Sequence, residues 1–356
     1  MSPESRLQEK ATALGFSLSG IASATMADSF HHFESWLNAG RHGEMAYLEK
    51  SREQRRDPSS ILKSVRSVVM LAIDYENEDN SPIPLNHGRI ARYARGPDYH
   101  RELWDRLNQL AAWLTEDYSC EAKGVADTGP LLERDFARRA GLGWIGKNTM
   151  LIHPQRGSYF MLGALLTSLE LIPSQPLEVD HCGTCTACID ACPTQAFESP
   201  RSLNANKCIS YLTIESRSTI PDDFKPALGH WLFGCDVCQE VCPWNRFSNR
   251  GPTGLPSDPN WASVDAVRIL ELPDETLRYW MKTKALNRTK PDSLRRNAAV
   301  VLGNSGDSTA LPALLSLLNH PHQPLRDAAQ WAIAEIRNRT GRPNHSAGSR
   351  SDCDNL

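Results

Sequence analysis

No stretch of this chain is apolar for long enough to cross a bilayer. The longest nearly apolar run, 159–166, has eight residues, against the roughly 20 that a membrane helix needs. The first thirty residues hold no apolar signal core and carry Glu4, Glu9 and Asp28, so no targeting segment is expected. A large charge of one sign is missing too, since 39 basic against 42 acidic residues leave −3. A polyanionic partner would therefore have to meet a local basic patch and not the surface as a whole. The expectation is a cytoplasmic protein without membrane attachment, working as a monomer. What the chain does have is length: 356 residues with 40% apolar content suffice for two or three domains with sizeable cores. It also has ten cysteines, eight of them between Cys182 and Cys242, with only Cys120 and Cys353 outside. Reduced cytosolic thiols clustered in this way read as metal ligands, not disulfides.

Apolar spacing lays out the rest. Leu7, Ala11 and Leu14 mark an amphipathic helix, a short apolar segment passes through Gly20 and Ile21, and a second helix over 30–37 stops near Gly40. The run Val68-Val69-Met70-Leu71 within 67–73 reads as a buried strand. Leu103, Leu107, Leu110 and Leu114, at spacings of four, three and four, predict a helix over 100–114. Strands alternating with helices predict an α/β domain over 1–175. A cysteine module follows over 176–250. Beyond Pro291, Leu294-Arg295-Arg296-Asn297-Ala298-Ala299 returns 31 residues later as Leu325-Arg326-Asp327-Ala328-Ala329, with Leu311, Leu314, Leu315 and Leu318 forming a helix between. The pair resembles short HEAT-type repeats, so 251–337 is expected to be helical and 338–356 a disordered tail.

Cys182-x2-Cys185-x2-Cys188-x3-Cys192-Pro193 has the spacing of bacterial ferredoxins. There the first three thiolates hold one [4Fe-4S] cube and the fourth reaches a second. The next run, Cys235-x2-Cys238-x3-Cys242-Pro243, has Leu232 where a first cysteine should stand. That cube lacks a ligand unless Cys208 supplies it. The crossed assignment gives Cys182, Cys185, Cys188 and Cys242 to one cluster and Cys192, Cys208, Cys235 and Cys238 to the other. Two all-cysteine zinc sites are the competing reading; three cysteines at successive intervals of three and two Cys-Pro endings weigh against it. Cys120 is expected to be a small buried hydrophobe.

Between the α/β segment and the cysteines lies a glycine-rich, charged stretch. Gly141-x-Gly143-x-x-Gly146 fits the bare dinucleotide pattern but follows a helical run and not a strand, so it is not read as a Rossmann fingerprint. Several segments resemble one family: Arg89-Ile90-Ala91-Arg92-Tyr93-Ala94-Arg95-Gly96-x-Asp98-Tyr99-His100, Asp127-Thr128-Gly129-Pro130-x-Leu132-Glu133-Arg134, Gly143-Trp144-Ile145-Gly146-Lys147-Asn148, Cys208-Ile209-Ser210-Tyr211-Leu212-Thr213-Ile214-Glu215 and Gly234-Cys235-Asp236-x-Cys238-Gln239-x-x-Cys242-Pro243-Trp244-Asn245. That family is the epoxyqueuosine reductases, which complete queuosine synthesis on tRNA, and the core also resembles the reductive dehalogenases. The resemblance implies an α/β cobalamin-binding domain, a following ferredoxin-like two-cluster module and a C-terminal α-helical HEAT-like domain.

It further implies an oxidoreductase that removes the epoxide oxygen of epoxyqueuosine as water, with two electrons and two protons delivered through cobalamin and two [4Fe-4S] clusters. An unidentified donor would supply the electrons. By motif position Asp127 is the acid that protonates the departing oxygen, and its pKa is expected to be raised by burial. Arg55, Gly146, Lys147, Asn148, Ser210 and Asp236 are the positions assigned to cobalamin. Two alternatives remain: an iron–sulfur electron-transfer or interaction protein, and a dehalogenase-like reductase of small molecules. Cobalamin content separates the first of these from the reductase reading.

The tRNA would meet 278–296, where Arg278, Lys282, Lys284, Arg288, Lys290, Arg295 and Arg296 face one acidic residue, Asp292, for a local charge of +6. Lys282, Lys284, Arg288, Lys290, Arg295 and Arg296 are the expected phosphate contacts. Tyr279 and Trp280 are the expected stacking partners for an unpaired base. Arg246 and Arg250 would extend the patch towards the active site.

Overall fold

The structure, a computed structural model, describes residues 1–75, 82–177, 179–247 and 254–340. Strand Ser67–Asp74 is buried along its whole length. Its odd-numbered residues Val69, Leu71 and Ile73 pack into a core shared with helices Pro3–Ala13 and Tyr99–Tyr118, where Leu103, Leu107, Leu110 and Leu114 face the sheet. The even-numbered Val68, Met70 and Ala72 pack under helices Phe30–Asn38 and Glu133–Arg139, against Phe30, Phe136 and Ala137. Helices on both faces explain why the strand reads as an unbroken apolar run.

The main sheet has four strands. Its order is Leu18–Ser23, Ser67–Asp74, Phe160–Thr167, Ala122–Val125, and every pairing is antiparallel, with Ser67 opposite Thr167 and Leu18 opposite Ala72. Helix–strand alternation is the same along the chain whether strands pair in parallel or antiparallel. Which strands become neighbours is decided by long-range pairing, and Ser67–Asp74 pairs with Phe160–Thr167, a strand far along the chain. The Tyr99–Tyr118 helix lies close enough that a Cβ on Gly163 would fall 2.9 Å from Leu103.

Nor do the three expected segments separate in space. A second sheet is built from all of them: His87–Ile90 pairs in parallel with Trp231–Phe233 and antiparallel with Ser263–Asp265. One apolar cluster runs from Leu7 through Leu232 to Ile336. The repeat helices are Pro291–Ser305 and Gln323–Thr340, with Leu311–Ser316 between them. They cross at Gly303, where a Cβ would stand 2.3 Å from the Trp331 ring. The second helix extends through Thr340, past the expected start of the tail; the rest of that tail, Cys353 included, lies outside the described residues, as does Arg250.

Candidate functional site: an aspartate cleft beside two four-cysteine groups

The cysteines sit on short helices and turns whose backbone N–H groups point at sulfur. Cys208 receives hydrogen bonds from Ser210 and Tyr211, Cys235 from Val237, and Cys242 from Trp244 and Asn245, while Ala196 N–H donates to Cys192 Sγ at 3.3 Å. Such donors stabilise thiolates. The thiols interact electrostatically in two sets. Cys188 is raised above the ordinary thiol range by burial and then by Cys182, Cys242 and Cys185. Cys208 is raised by burial and Cys192, and Cys235 by burial, Cys208 and Cys238. These interactions run within the two groups of the crossed assignment, Cys208 interacting with Cys192 and Cys235. No three of the described Cys, His, Asp or Glu side chains converge tightly enough for a single metal ion. Cys238 also interacts with Cys188, which brings the two groups side by side.

Lys147 and Asn148 hold these loops. Lys147 Nζ donates to the carbonyls of Gly183 (2.6 Å) and Cys185 (2.9 Å), and Asn148 Nδ2 donates to the carbonyl of Cys238 at 3.2 Å. Lys147 therefore ties down a cysteine loop where an open cation had been expected to meet a cofactor. Gly146 is buried in the same turn, its N–H bonded to the carbonyl of Met150. Asp236 is buried too and accepts the Arg92 N–H at 2.8 Å; burial pushes its carboxyl up to about 6. Ser210 is half-buried at the start of the Ile209–Ile214 helix, next to Cys208. Cys120, far from both quartets, is partly buried at the edge of the main core.

Asp127 follows strand Ala122–Val125 with φ at +42°, a left-handed conformation that a β-carbon disfavours. Its N–H donates to Glu133 Oε1 at 2.8 Å, which fixes the turn. Its carboxylate accepts from Tyr99 Oη at 3.2 Å and pairs with His100 Nε2 at 3.0 Å. The other imidazole nitrogen, His100 Nδ1, meets Asp98 Oδ1 at 2.6 Å, and Asp98 also caps the helix that carries Tyr99 and His100. The expected upward shift of Asp127 does not occur. Burial pushes its pKa up, but the His100 hydrogen bond and charge, the Tyr99 hydroxyl and Arg288 together hold it below the ordinary carboxylate value. The proton is held instead by His100: burial opposes its charge, yet Asp127 and Asp98 raise it to about 9. Glu133 is raised to about 8 by burial and the Asp127 charge.

The Asp127 side chain keeps about half its surface, 50%, and stands in a recess among Tyr99, His100, Glu133 and Arg288. Arg55 closes one wall, almost buried, with Nε on Ser51 Oγ (3.1 Å) and Nη1 on the carbonyl of Leu131 (3.2 Å). Arg134 donates to the carbonyl of Thr149 at 3.1 Å and interacts with both Asp127 and Cys238. Sequence reasoning assigned no role to Tyr99, His100 or Glu133. The first two lie directly behind Asp98, a helix-capping residue legible from sequence, but nothing local showed that they would meet Asp127.

The basic run is dismantled by the fold. Arg296 is wholly buried, donating to the carbonyls of Ser216, Ser218 and Leu212. Burial brings it down to about 10. Arg295 is buried against Asp274 (2.6 Å) and the carbonyl of Leu272. Lys284 is buried, its Nζ 3.0 Å from the carbonyl of Arg95. None of the three offers a phosphate contact, because the helix that carries the arginines lies inside the core. Arg288 is exposed but paired with Glu215 at 2.7 Å. Trp280 packs edge-on against Trp261 under Arg268. Lys282, Lys290 and Tyr279 remain exposed, and so does Arg246.

Comparison with known proteins agrees with this arrangement. Residues 55–128 match the family model described as epoxyqueuosine reductase QueG, 181–245 a 4Fe-4S double cluster binding domain, and 283–344 HEAT repeats. An epoxyqueuosine reductase from Cyclobacterium marinum is 41% identical over 82% of this chain and 94% of its own. A crystal structure of epoxyqueuosine reductase with an epoxyqueuosine-modified tRNA-Tyr stem loop superposes with a TM-score of 0.87 at 32% identity, covering 94% of this chain and 90% of that one. A Bacillus subtilis epoxyqueuosine reductase, solved with its catalytic aspartate loop swung out of the active site, superposes with a TM-score of 0.85 at 31% identity, covering 94% and 90%. Sharing 41% identity over most of its length with one such reductase and its fold with others of known structure, this chain belongs to the epoxyqueuosine reductase family.

Proposed function

We propose that the protein reduces epoxyqueuosine to queuosine in the anticodon loop of tRNA, using two [4Fe-4S] clusters and cobalamin. The observation that carries this reading is Arg134, which interacts with both Asp127 and Cys238 and so brings a cysteine loop near the candidate proton donor. Bound in the cleft, cobalamin would supply a low-valent cobalt able to pass electrons to the epoxide carbon. The residues present suit such a group. Arg55 offers a fixed guanidinium, Gly146, Ser210 and Asp236 lie in the turns around the cysteine loops, and both nitrogens of His100 are engaged by Asp98 and Asp127.

The chain's own contribution is the proton. Epoxide deoxygenation takes two electrons and two protons and releases water, and the oxygen cannot leave as an alkoxide. Asp127 stands at the cleft with His100 protonated behind it. The pair titrates as a unit: Asp127 delivers the proton at the cleft face, and His100, oriented by Asp98, returns one to it. Glu133 and the Tyr99 hydroxyl keep the carboxylate aimed outward. The eight clustered cysteines would hold the two clusters, which would supply one-electron transfer, and Cys185 is the exposed thiol among them. The test is turnover of a stem loop carrying epoxyqueuosine by protein purified without oxygen, with one oxygen lost from the nucleoside by mass spectrometry. Cobalt-free protein with full activity would overturn the cofactor assignment, and a cluster-loaded, cobalt-loaded protein that leaves the epoxide intact would overturn the function.

A further inference from the structure

The cleft has an aromatic rim that the reductive chemistry does not use. Tyr47, on the short helix Ala46–Lys50, is 42% exposed, and the Arg288 guanidinium lies 5.0 Å from its ring centre. Arg288 is fixed from the other side by Glu215 at 2.7 Å, and its carbonyl accepts from Arg217 Nη2 at 2.8 Å. Arg217 N–H in turn donates to Glu44 Oε2 at 2.9 Å, just ahead of Tyr47 in the chain. Three distant segments therefore hold one ring and one guanidinium plane in place. A second chain of bonds connects this rim to the acid. Ser51 Oγ donates to the carbonyl of Tyr47 (2.8 Å) and accepts from Arg55 Nε, and Arg55 Nη1 reaches the carbonyl of Leu131 in the Asp127 loop.

We propose that Tyr47 and Arg288 form the platform on which an unpaired base of the anticodon loop stacks as the modified nucleotide enters the Asp127 cleft. The inference rests on the tRNA-reductase reading and assigns the substrate contact within it. A rigid aromatic ring beside a guanidinium plane is the surface that unpaired RNA bases favour. Glu215 already neutralises Arg288, so a phosphate would gain little there, whereas a flat base face gains from both groups. Trp280, which the sequence suggests for this part, is packed against Trp261 and Arg268.

The experiment uses anaerobic, cluster- and cobalamin-loaded protein and a stem loop carrying epoxyqueuosine, with affinity measured at several salt concentrations. Tyr47→Ala should weaken binding about 5- to 100-fold with no change in the salt slope, and Tyr47→Phe should bind like the unaltered protein. A 2-aminopurine in the anticodon loop should be quenched by the unaltered protein and much less by Tyr47→Ala. Unchanged affinity and quenching in Tyr47→Ala, with iron and cobalt intact, would overturn the platform, as would a loss seen only in Tyr279→Ala. So would a salt slope lowered by roughly 0.7 to 0.9 in Arg288→Gln with Tyr47→Ala silent, the mark of a phosphate contact. If Tyr47→Ala loses its clusters, Tyr47→Leu, which keeps apolar bulk without a ring, replaces it under the same criteria. Failure of the unaltered loaded protein to bind or turn over the stem loop would instead be failure of the functional reading.

Discussion

The cysteine module and the basic run at 278–296 differ in what holds their side chains. Seven thiols stand at short local intervals, and the fold brings them, with Cys208, into mutual electrostatic interaction. Seven cations packed into nineteen residues form no comparable unit, because three of them point into the protein interior. A metal cluster constrains spacing directly, since three ligands of one cube must reach it from one turn. Charge carries no such constraint, for a guanidinium binds a buried carbonyl as readily as a phosphate. Arg296 satisfies three main-chain carbonyls at once.

The comparison is broken most severely at Cys208. Cys208→Ala should remove one cube as completely as Cys235→Ala, taking iron from about eight to about four per chain, read by iron and sulfide analysis and by the spectrum of the reduced protein. Retention of full iron would dissolve the second quartet. Next in size is Asp127→Asn, which should keep both clusters yet lower turnover of the stem loop about 10²–10⁴-fold, measured under single-turnover conditions.

Arg296→Ala comes third. It strands three buried carbonyls and should cost about 3 kcal/mol or more, visible as a lower Tm, whereas Lys282→Ala and Lys290→Ala should change stability by less than about 0.5 kcal/mol. The same two lysine variants sharpen the contrast on binding: each should lower the salt slope of tRNA affinity by roughly 0.7 to 0.9 if the remaining exposed cations meet phosphate.

The pH dependence is the smallest effect. His100 is lifted from 6.5 to about 9 in the folded protein, so its pairing with Asp127 and Asp98 stabilises fully below about pH 6.5 and is lost as pH rises through about 9. Turnover should fall across that upper limb, and His100→Gln should move the fall to lower pH while leaving iron content unchanged. An unshifted profile would remove His100 from proton delivery.

Much of the fold was legible. The buried strand appears over Ser67–Asp74, one residue longer than its apolar run suggests, and the helix expected over 100–114 runs from Tyr99 to Tyr118. Asp98 caps its start, and Ser119 in a left-handed conformation follows its end. Strand neighbours were not legible, because an apolar strand covered by helices on both faces carries no mark of its partner's direction. The candidate acid was found by motif, but its protonation state was not. Burial alone would raise Asp127, and the imidazole that reverses the shift arrives from a helix 27 positions earlier.

By itself the sequence determined which chemistry the chain could hold: the number and order of its thiols, the alternation of helix and strand, and a repeat of 31 residues. These are local properties, written in spacing, and spacing survives whatever the rest of the chain does. Only the tertiary structure decided that Lys147 binds a cysteine loop, that Arg295 and Arg296 belong to the core, and that Tyr47 and Arg288 come near Asp127. Each of those outcomes depends on which distant carbonyl or carboxylate lies within about 3 Å of a charged or polar group, and that distance is set by packing, not by position along the chain.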